Sequence, residues 1–322
     1  ESLMGTTKKS WYALLLSICG LLCGHYVAFG GEIPQGRVLV IGIDGIRRDA
    51  LLDAETPNID QLIKEGAFAE NTQILGERYA KNDTVSGPGW SSFLTGVWAD
   101  KHGVNDNSFK GKNYEDFPHF FTRVKEQFPD AKTASFVDWG PIDAQIVRDA
   151  DIRKVDPAHG ADHYRENDQR IAAETVKTIT GDNPHVIVSY FGAVDETGHR
   201  HGFHPSVEQY ISAIEEVDTH VGELMEAMKA RPHFQKENWL VLISTDHGGR
   251  GTNHSGGHDL PEIRNTFLIV SGAAAKRGKI EEQTYLVDLV ATALIHLGVK
   301  IQDQWQLDGR PVGLKSSVAT AE

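Results

Sequence analysis

Cysteine is nearly absent from this chain of 322 residues. There are two, Cys19 and Cys23, and both fall within the first 30 positions. The rest of the sequence has no thiol, which excludes a disulfide framework and any thiolate-bound metal. Long apolar runs are also missing: the longest, Trp11 to Cys23, has 13 residues, against the roughly 20 that a spanning helix needs. Net positive charge is absent. The formal charge is −13, and since Glu1, Lys8 and Lys9 leave the first 30 residues at +1, the remainder carries −14. An acidic surface excludes the Lys- and Arg-rich grip on which duplex nucleic-acid binding depends. There are no internal repeats and no low-complexity linker. Gly-x-Ser-x-Gly is lacking at Ser86, because Thr84 stands at the first glycine position, so an α/β-hydrolase elbow is excluded.

The first 30 residues have the parts of a secretory signal peptide. Lys8 and Lys9 form a basic start, Trp11 to Cys23 an apolar centre, and Ala28-Phe29-Gly30 a small-x-small cleavage site. The alternative is an uncleaved membrane anchor. No lipobox ends at either cysteine. Residue 1 is Glu, so translation is expected to begin at Met4 or further upstream. The expectation is a secreted or periplasmic protein with no membrane contact after cleavage, whose residues 31–322 form one catalytic domain. A content of 40% hydrophobic and 24% charged residues is ordinary for a globular chain with a sizeable core.

Val38 to Ile43 is a short apolar run ended by Asp44-Gly45, as expected of a buried parallel strand. Lys132 to Val137, His185 to Phe191, Trp239 to Ser244 and Thr266 to Val270 read the same way. Thr56-Pro57 supplies an N-cap and a first-turn proline for a helix carrying Ile59, Leu62 and Ile63. Ser206 to Lys229 is a long amphipathic helix, and Tyr285 to Leu297 a further one. Strands alternating with helices predict an α/β fold, a three-layer α/β/α sandwich with a mostly parallel central sheet. Ligands of such folds bind beyond the carboxyl ends of the strands.

Residues that bind hard or borderline divalent metals cluster at just those ends. Asp44 follows the first strand, Asp195 and His199 follow the third, and Asp246-His247 follow the fourth. Asp195 and His199 are four apart, the spacing of one helix face. Adjacent Asp246 and His247 can share an ion only beyond the end of their strand, which Gly248-Gly249 suggests. A His-rich run spans His254 to His258. Ser86, just ahead of Pro88, is expected at or beside a helix N-terminus. The macrodipole and free N–H groups there favour an alkoxide and a phosphate, although a plain N-cap role would also place a serine there. A serine hydroxyl needs an activating base or metal. Aromatic Trp90, Phe93, Tyr190 and Phe191 are candidates either for the core or for binding an apolar substrate arm.

In order and spacing, these stretches resemble the alkaline phosphatase superfamily, and within it the branch of type I phosphodiesterases and nucleotide pyrophosphatases. The matching segments are Ser86-Gly-Pro-Gly-Trp-Ser-Ser-Phe-Leu-Thr-Gly96, His102-Gly-Val-Asn-Asp-Asn107, Asp195-Glu-Thr-Gly-His199 and Thr245-Asp-His247, within about residues 37–300. The resemblance implies Ser86 as nucleophile and Asn107 as a donor to a phosphoryl oxygen, beside the Gly87 N–H. It implies one divalent ion held by Asp44, Asp246, His247 and the Ser86 oxygen. A second would be held by Asp195, His199 and a later histidine. Relatives place that histidine about nine residues before a pair matching Ile263-Arg264. This favours His254, with His258, five residues before it, as the alternative. The ligand types suit zinc, with manganese possible.

The expected activity is hydrolysis of small phosphodiesters or pyrophosphates through a phosphoserine. Alternatives are a phosphomonoesterase, for which Arg47, Arg48 or Arg250 would supply charge, a sulfatase-like hydrolase, and a non-catalytic metal-stabilised binding protein. A formylglycine sulfatase would have Arg where this chain has Trp90. Oligomeric state is not legible.

Overall fold

The computed structural model describes residues 33–156 and 160–316. The expected leader lies outside them. By contacts the chain divides into Glu1–Gly31 and Glu32–Glu322, and the whole sheet belongs to the second unit. In chain order come β1 (Gly36–Ile43), α1 (Arg48–Asp53), α2 (Pro57–Glu65), β2 (Ala67–Gln73), α3 (Ser86–Thr95), α4 (Ala99–His102), α5 (Phe120–Gln127), β3 (Thr133–Val137), β4 (Ile152–Val155), α6 (Ala161–Gly181), β5 (Val186–Phe191), α7 (Ala193–His201), α8 (Glu208–Lys229), β6 (Asn238–Ser244), α9 (Pro261–Arg264), β7 (Asn265–Gly272), β8 (Gly278–Lys279), β9 (Thr284–Tyr285) and α10 (Asp288–His296). Among the described residues no helix is long and apolar enough to cross a membrane.

The strands form one sheet in the order β4-β3-β5-β1-β6-β7-β2-β8, with β9 also paired to β2. From β4 to β6 every pairing is parallel. Only β7 is reversed, antiparallel to both β6 and β2. Alternation along β1 explains the layers, since successive side chains of a strand leave by opposite faces. Val38 and Val40 join Trp90, Phe93, Phe120, Phe121, Val290 and Leu294 on the face covered by α3, α5 and α10. Leu39, Ile41 and Ile43 join Ile59, Ile171, Ile214 and Val217 on the face covered by α2, α6 and α8. This is the expected three-layer α/β/α sandwich.

Register sets the height of the strand ends. Gly42 of β1 lies opposite Tyr190 of β5 and Ser244 of β6. Asp44, Gly192 and Asp246, each two residues further on, therefore emerge side by side from one edge of the sheet.

Two expectations shift. The last helix begins at Asp288 rather than Tyr285, because Tyr285 pairs into the sheet as β9 and the Asp288 carboxylate accepts its N–H at 2.8 Å. Thr56 occupies the N-cap position of α2, but its side chain makes no capping bond. The cap comes from α8 instead. Asp218, 2% exposed, accepts the N–H of Ile59 at 2.7 Å and that of Asn58 at 3.2 Å. Asp218→Ala should therefore unfold at lower temperature, by about 2 kcal/mol of stability, because two helix N–H groups lose a charged acceptor. Thr56→Val should cost far less. Denaturant titration of both variants checks the pair.

Candidate metal centre

The edge of the sheet gathers every stretch picked out in the sequence. Asp44 follows β1, Ser86 opens α3, Asp195 and His199 sit one turn apart on α7, and Asp246-His247 follow β6. His254 arrives on the loop between β6 and α9. It is anchored by reciprocal bonds to Thr84: Thr84 Oγ1 donates to the His254 carbonyl at 2.6 Å, and His254 Nδ1 donates to the Thr84 carbonyl at 2.9 Å. Gly45, at φ +67°, makes the sharp turn after β1. A Cβ there would lie 2.5 Å from Asp195 Oδ1, so only glycine lets β1 and α7 come this close.

The three imidazoles share one arrangement. His247 Nδ1 donates to the Gly248 carbonyl, His254 Nδ1 to that of Thr84, and His199 Nδ1 to that of Thr252, each at 2.9 Å. Each ring is thereby fixed with the Nε2 lone pair turned inward, the second-sphere geometry of metal-binding histidines. His247 Nε2 lies 3.5 Å from Asp44 Oδ1, 3.3 Å from Asp246 Oδ2 and 3.4 Å from Ser86 Oγ. His199 Nε2 lies 3.4 Å from Asp195 Oδ2 and 3.0 Å from His254 Nε2, which is 3.6 Å from Asp195 Oδ1. Ligand atoms of Asp195, His199 and His254 thus form one close group, and those of Asp44, Asp195 and His247 another, with Asp195 common to both. His258 stands apart: its Nε2 donates to the Asn82 carbonyl at 2.8 Å.

The donor set suits divalent cations. Asp44, Asp195 and Asp246 are 2%, 8% and 0% exposed, and among the described residues Asp44 Oδ1, Asp195 Oδ1 and Asp246 Oδ2 have no hydrogen-bond partner. Three buried carboxylates with orphaned oxygens are costly unless a cation meets them. Without one, burial and the Asp44 charge push Asp195 up to about 7 and raise Asp246 well above the carboxylate range. Its hydrogen bond to Asp195 raises His199 to about 9. Burial lowers His247 and His254 to about 3.

These shifts fix a sign. A group with a raised folded-state pKa contributes stability that is lost as pH rises through that value. Asp195 loses its share between its unfolded value of about 4 and about 7, and His199 between about 6.5 and about 9, whereas His247 and His254 act only below about 6.5, their unfolded value. The metal-free protein should therefore become less stable from pH 7 to 9. Added ions should restore it, most of all at pH 9. An ion at roughly a thousandfold its Kd contributes about 4 kcal/mol per site, or about 10 °C in a chain of this size. Thermal melts with EDTA, then with excess Zn2+, check both statements.

Asp44 is held by aromatic donors: Trp90 Nε1 at 2.9 Å and the Tyr190 hydroxyl at 2.6 Å, both on Oδ2. Trp90, Phe93 and Phe191 are at most 1% exposed. They belong to the core and offer nothing to a substrate arm. Asn107 lies at the cavity mouth, and its Oδ1 accepts the Gly87 N–H at 2.6 Å. That N–H is thus already spent, contrary to its expected role on the phosphoryl group. It orients the amide so that Asn107 Nδ2 is the donor left for a ligand. The arginines are turned elsewhere: Arg47 pairs with Asp49 and the Phe203 carbonyl, Arg48 with the Glu70 carbonyl, Arg250 with Glu262. Four cavity-lining residues were not sequence candidates for this pocket: Trp139, Tyr164, Gly192 and Glu196. Trp139 sits one residue beyond a strand-end Asp and was open to the strand-end rule. Tyr164 lies on α6, which no periodicity announced.

A family model for type I phosphodiesterase/nucleotide pyrophosphatase matches residues 38–268. The chain belongs to this family. Type I phosphodiesterase relatives include family member 7 of the ectonucleotide pyrophosphatase/phosphodiesterases from Rattus norvegicus, 28% identical over 256 residues, which cover 73% of this chain and 55% of the relative. Another is the bis(5′-adenosyl)-triphosphatase of Bos taurus, 26% identical over 252 residues, covering 73% and 52%. The chain spans about half the length of these curated relatives. Among solved structures, murine ectonucleotide pyrophosphatase/phosphodiesterase 5 in complex with AMP matches at TM-score 0.61 and 16% identity, covering 83% of this chain and 96% of that one. A 2-O GAG sulfatase matches at 0.68 and 15%, covering 87% and 73%. At such identities the structures establish a shared alkaline phosphatase-like fold.

Proposed function

We propose that this member of the family is an exported two-metal phosphodiesterase acting on small phosphodiesters or pyrophosphates through a phosphoserine. The convergence of Asp44, Ser86, Asp246 and His247 beside Asp195, His199 and His254 supports it. Asp44, Asp246, His247 and the Ser86 oxygen would hold one divalent ion, and Asp195, His199 and His254 the other, zinc by donor type with manganese as the alternative. When bound, such ions supply Lewis acidity that lowers the pKa of a hydroxyl or water and offsets charge on phosphoryl and leaving oxygens.

The chain's own groups do the rest. Ser86 is the first residue of α3, where the helix dipole favours its anion and a bound phosphate. Its Oγ bonds to phosphorus as the bond to the leaving oxygen breaks, and the hydroxyl proton departs on the leaving alcohol or phosphate. Asn107 Nδ2 donates to a non-bridging oxygen. Water then opens the phosphoserine and returns a proton to Oγ. Export is supported by the leader sequence, and a small nucleotide-like ester is suggested by the relative solved with AMP.

One observation carries the preference for diesters. The cavity, about 130 Å3, is lined by Asp44, Asp195 and Glu196 but, among the described residues, by no Lys or Arg. A phosphomonoester dianion needs fixed positive charge beyond two ions, whereas a diester carries a single negative charge. Bis-p-nitrophenyl phosphate should accordingly be cleaved with a kcat/KM at least about tenfold above that for p-nitrophenyl phosphate, a difference of ~1.4 kcal/mol in barrier. The reverse order would point to a monoesterase. Turnover of p-nitrophenyl sulfate alone would point to a sulfatase.

A further inference from the structure

Behind the cavity wall lies a second pair of carboxyl groups that the proposed reaction does not use. Asp138, the residue after β3, is 0% exposed, and neither of its oxygens has a hydrogen-bond partner among the described residues. Beside it, Asp168 of α6 is 1% exposed. Asp168 Oδ1 accepts the Gly192 N–H at 3.0 Å and Oδ2 the Ala193 N–H at 3.2 Å, so it caps the first turn of α7. A Cβ on Gly192 would stand 3.1 Å from Asp138 Oδ1, which places that oxygen against the same turn. Both carboxyl groups therefore crowd Gly192, Asp168 Oδ1 on its N–H and Asp138 Oδ1 beside its Cα. The other charges acting on them are acidic, Asp44 foremost.

Two carboxylates in contact and out of water cannot both be ionised. The partners are unequal. Asp168 has two N–H donors and the positive end of α7, which favour its anion. Asp138 has neither. Burial and then the Asp168 charge raise the Asp138 carboxyl well above its ordinary range, while burial brings Asp168 to about 7.

We propose that Asp138 is a neutral carboxylic acid whose O–H donates to Asp168, and that this pair fixes the first turn of α7 and thereby the positions of Asp195 and His199. Asp138 and Asp168 are positioning residues. The second half of the statement rests on the two-metal reading; the first half does not.

Three measurements separate the halves. Asp195 and Asp246 are also raised in the metal-free protein, so the infrared spectrum of Asp138→Asn is subtracted from that of wild type at pH 7, and the difference should contain the carbonyl stretch of one protonated carboxylic acid. Zinc titrations against a competing chelator then test positioning. In Asp138→Asn the amide Nδ2 donates to Asp168 without needing a proton, so both equivalents should bind within roughly threefold of wild type. In Asp138→Ala no donor remains, and one equivalent should weaken roughly 10–100-fold while the other is unchanged. Hydrogen exchange at Gly192 and Ala193 should accelerate in Asp138→Ala and not in Asp138→Asn. A difference spectrum without the band overturns the shared proton. Asn as damaging as Ala, or both equivalents weakened alike, overturns the positioning role. If wild type binds no zinc, the two-metal reading fails, and the band with the exchange rates still decides the pair.

Discussion

Ser86→Ala should lower kcat/KM for diesters by roughly 10^4- to 10^6-fold and leave two equivalents of bound metal. The reasoning separates nucleophile from scaffold. Ser86 is 6% exposed, and the contact of its Oγ is with His247 Nε2 at 3.4 Å. Alanine is a good helix former and fits the first position of α3 without moving the backbone. The carboxylates and imidazoles of both ligand groups stay, so metal content should fall little when one oxygen is removed. What disappears is the atom that bonds to phosphorus, and a residual rate from bound ions and Asn107 alone is small. The assay is p-nitrophenol release from the diester, with metal counted on the same samples. A variant retaining more than about 1% of activity, ~2.7 kcal/mol of barrier, would mean that water attacks directly and Ser86 is only the first residue of a helix.

Much of this arrangement was legible because its physics is local. β1, β3, β5 and β6 are continuous apolar runs, and such runs mark strands buried on both faces. Their ends carried Asp44, Asp195 and Asp246, and in a parallel sheet all ends face one way. The register that levels them, Gly42 against Tyr190 and Ser244, is a tertiary fact, yet the shared direction was enough to expect convergence. β2 (Ala67–Gln73) escaped because its second half is polar: Glu70 is half-buried and Asn71 exposed, where the register with β7 shifts.

α6 escaped for a more informative reason. Its buried positions, Tyr164, Asn167, Asp168, Ile171, Ala172, Thr175, Thr178 and Ile179, have helical spacing. Three of the first four are polar or amphipathic, so hydrophobic periodicity is silent there. Those same residues carry Asp168 of the buried carboxyl pair and the Tyr164 wall of the cavity. Local rules failed at the site itself, where burial of polar groups serves position rather than stability. The same holds for the cap on α2. Thr56 satisfied the sequence rule, but Asp218, about 160 residues away, makes the bonds. Gly87 taught the converse. A helix N-terminal N–H is a generic anion donor, and only the structure shows it committed to Asn107.

The last histidine gives the sharpest contrast between two substitutions. His254→Ala should lose one equivalent of bound metal and at least about 100-fold in kcat/KM, since a direct ligand outweighs the 10- to 100-fold typical of groups one shell further out. His258→Ala should keep both equivalents and most activity. His254 Nε2 is directed at Asp195 and His199, its ring is buried at 5% exposure, and its Nδ1 proton is committed to Thr84. His258 spends its Nε2 on the Asn82 carbonyl, and its own carbonyl accepts from Arg264 at 2.9 Å. It clasps the 82–84 loop to the 253–258 loop, a task shared with Asp83, which accepts the Gly256 N–H at 2.7 Å, and with Thr84, which accepts that of Gly257 at 2.8 Å. Losing one clasp among several should cost only about 1 kcal/mol of stability. Metal analysis on gel-filtered variants decides the matter. Loss of an equivalent in His258→Ala with retention in His254→Ala would reassign the site and require the 253–258 loop to repack when an ion binds.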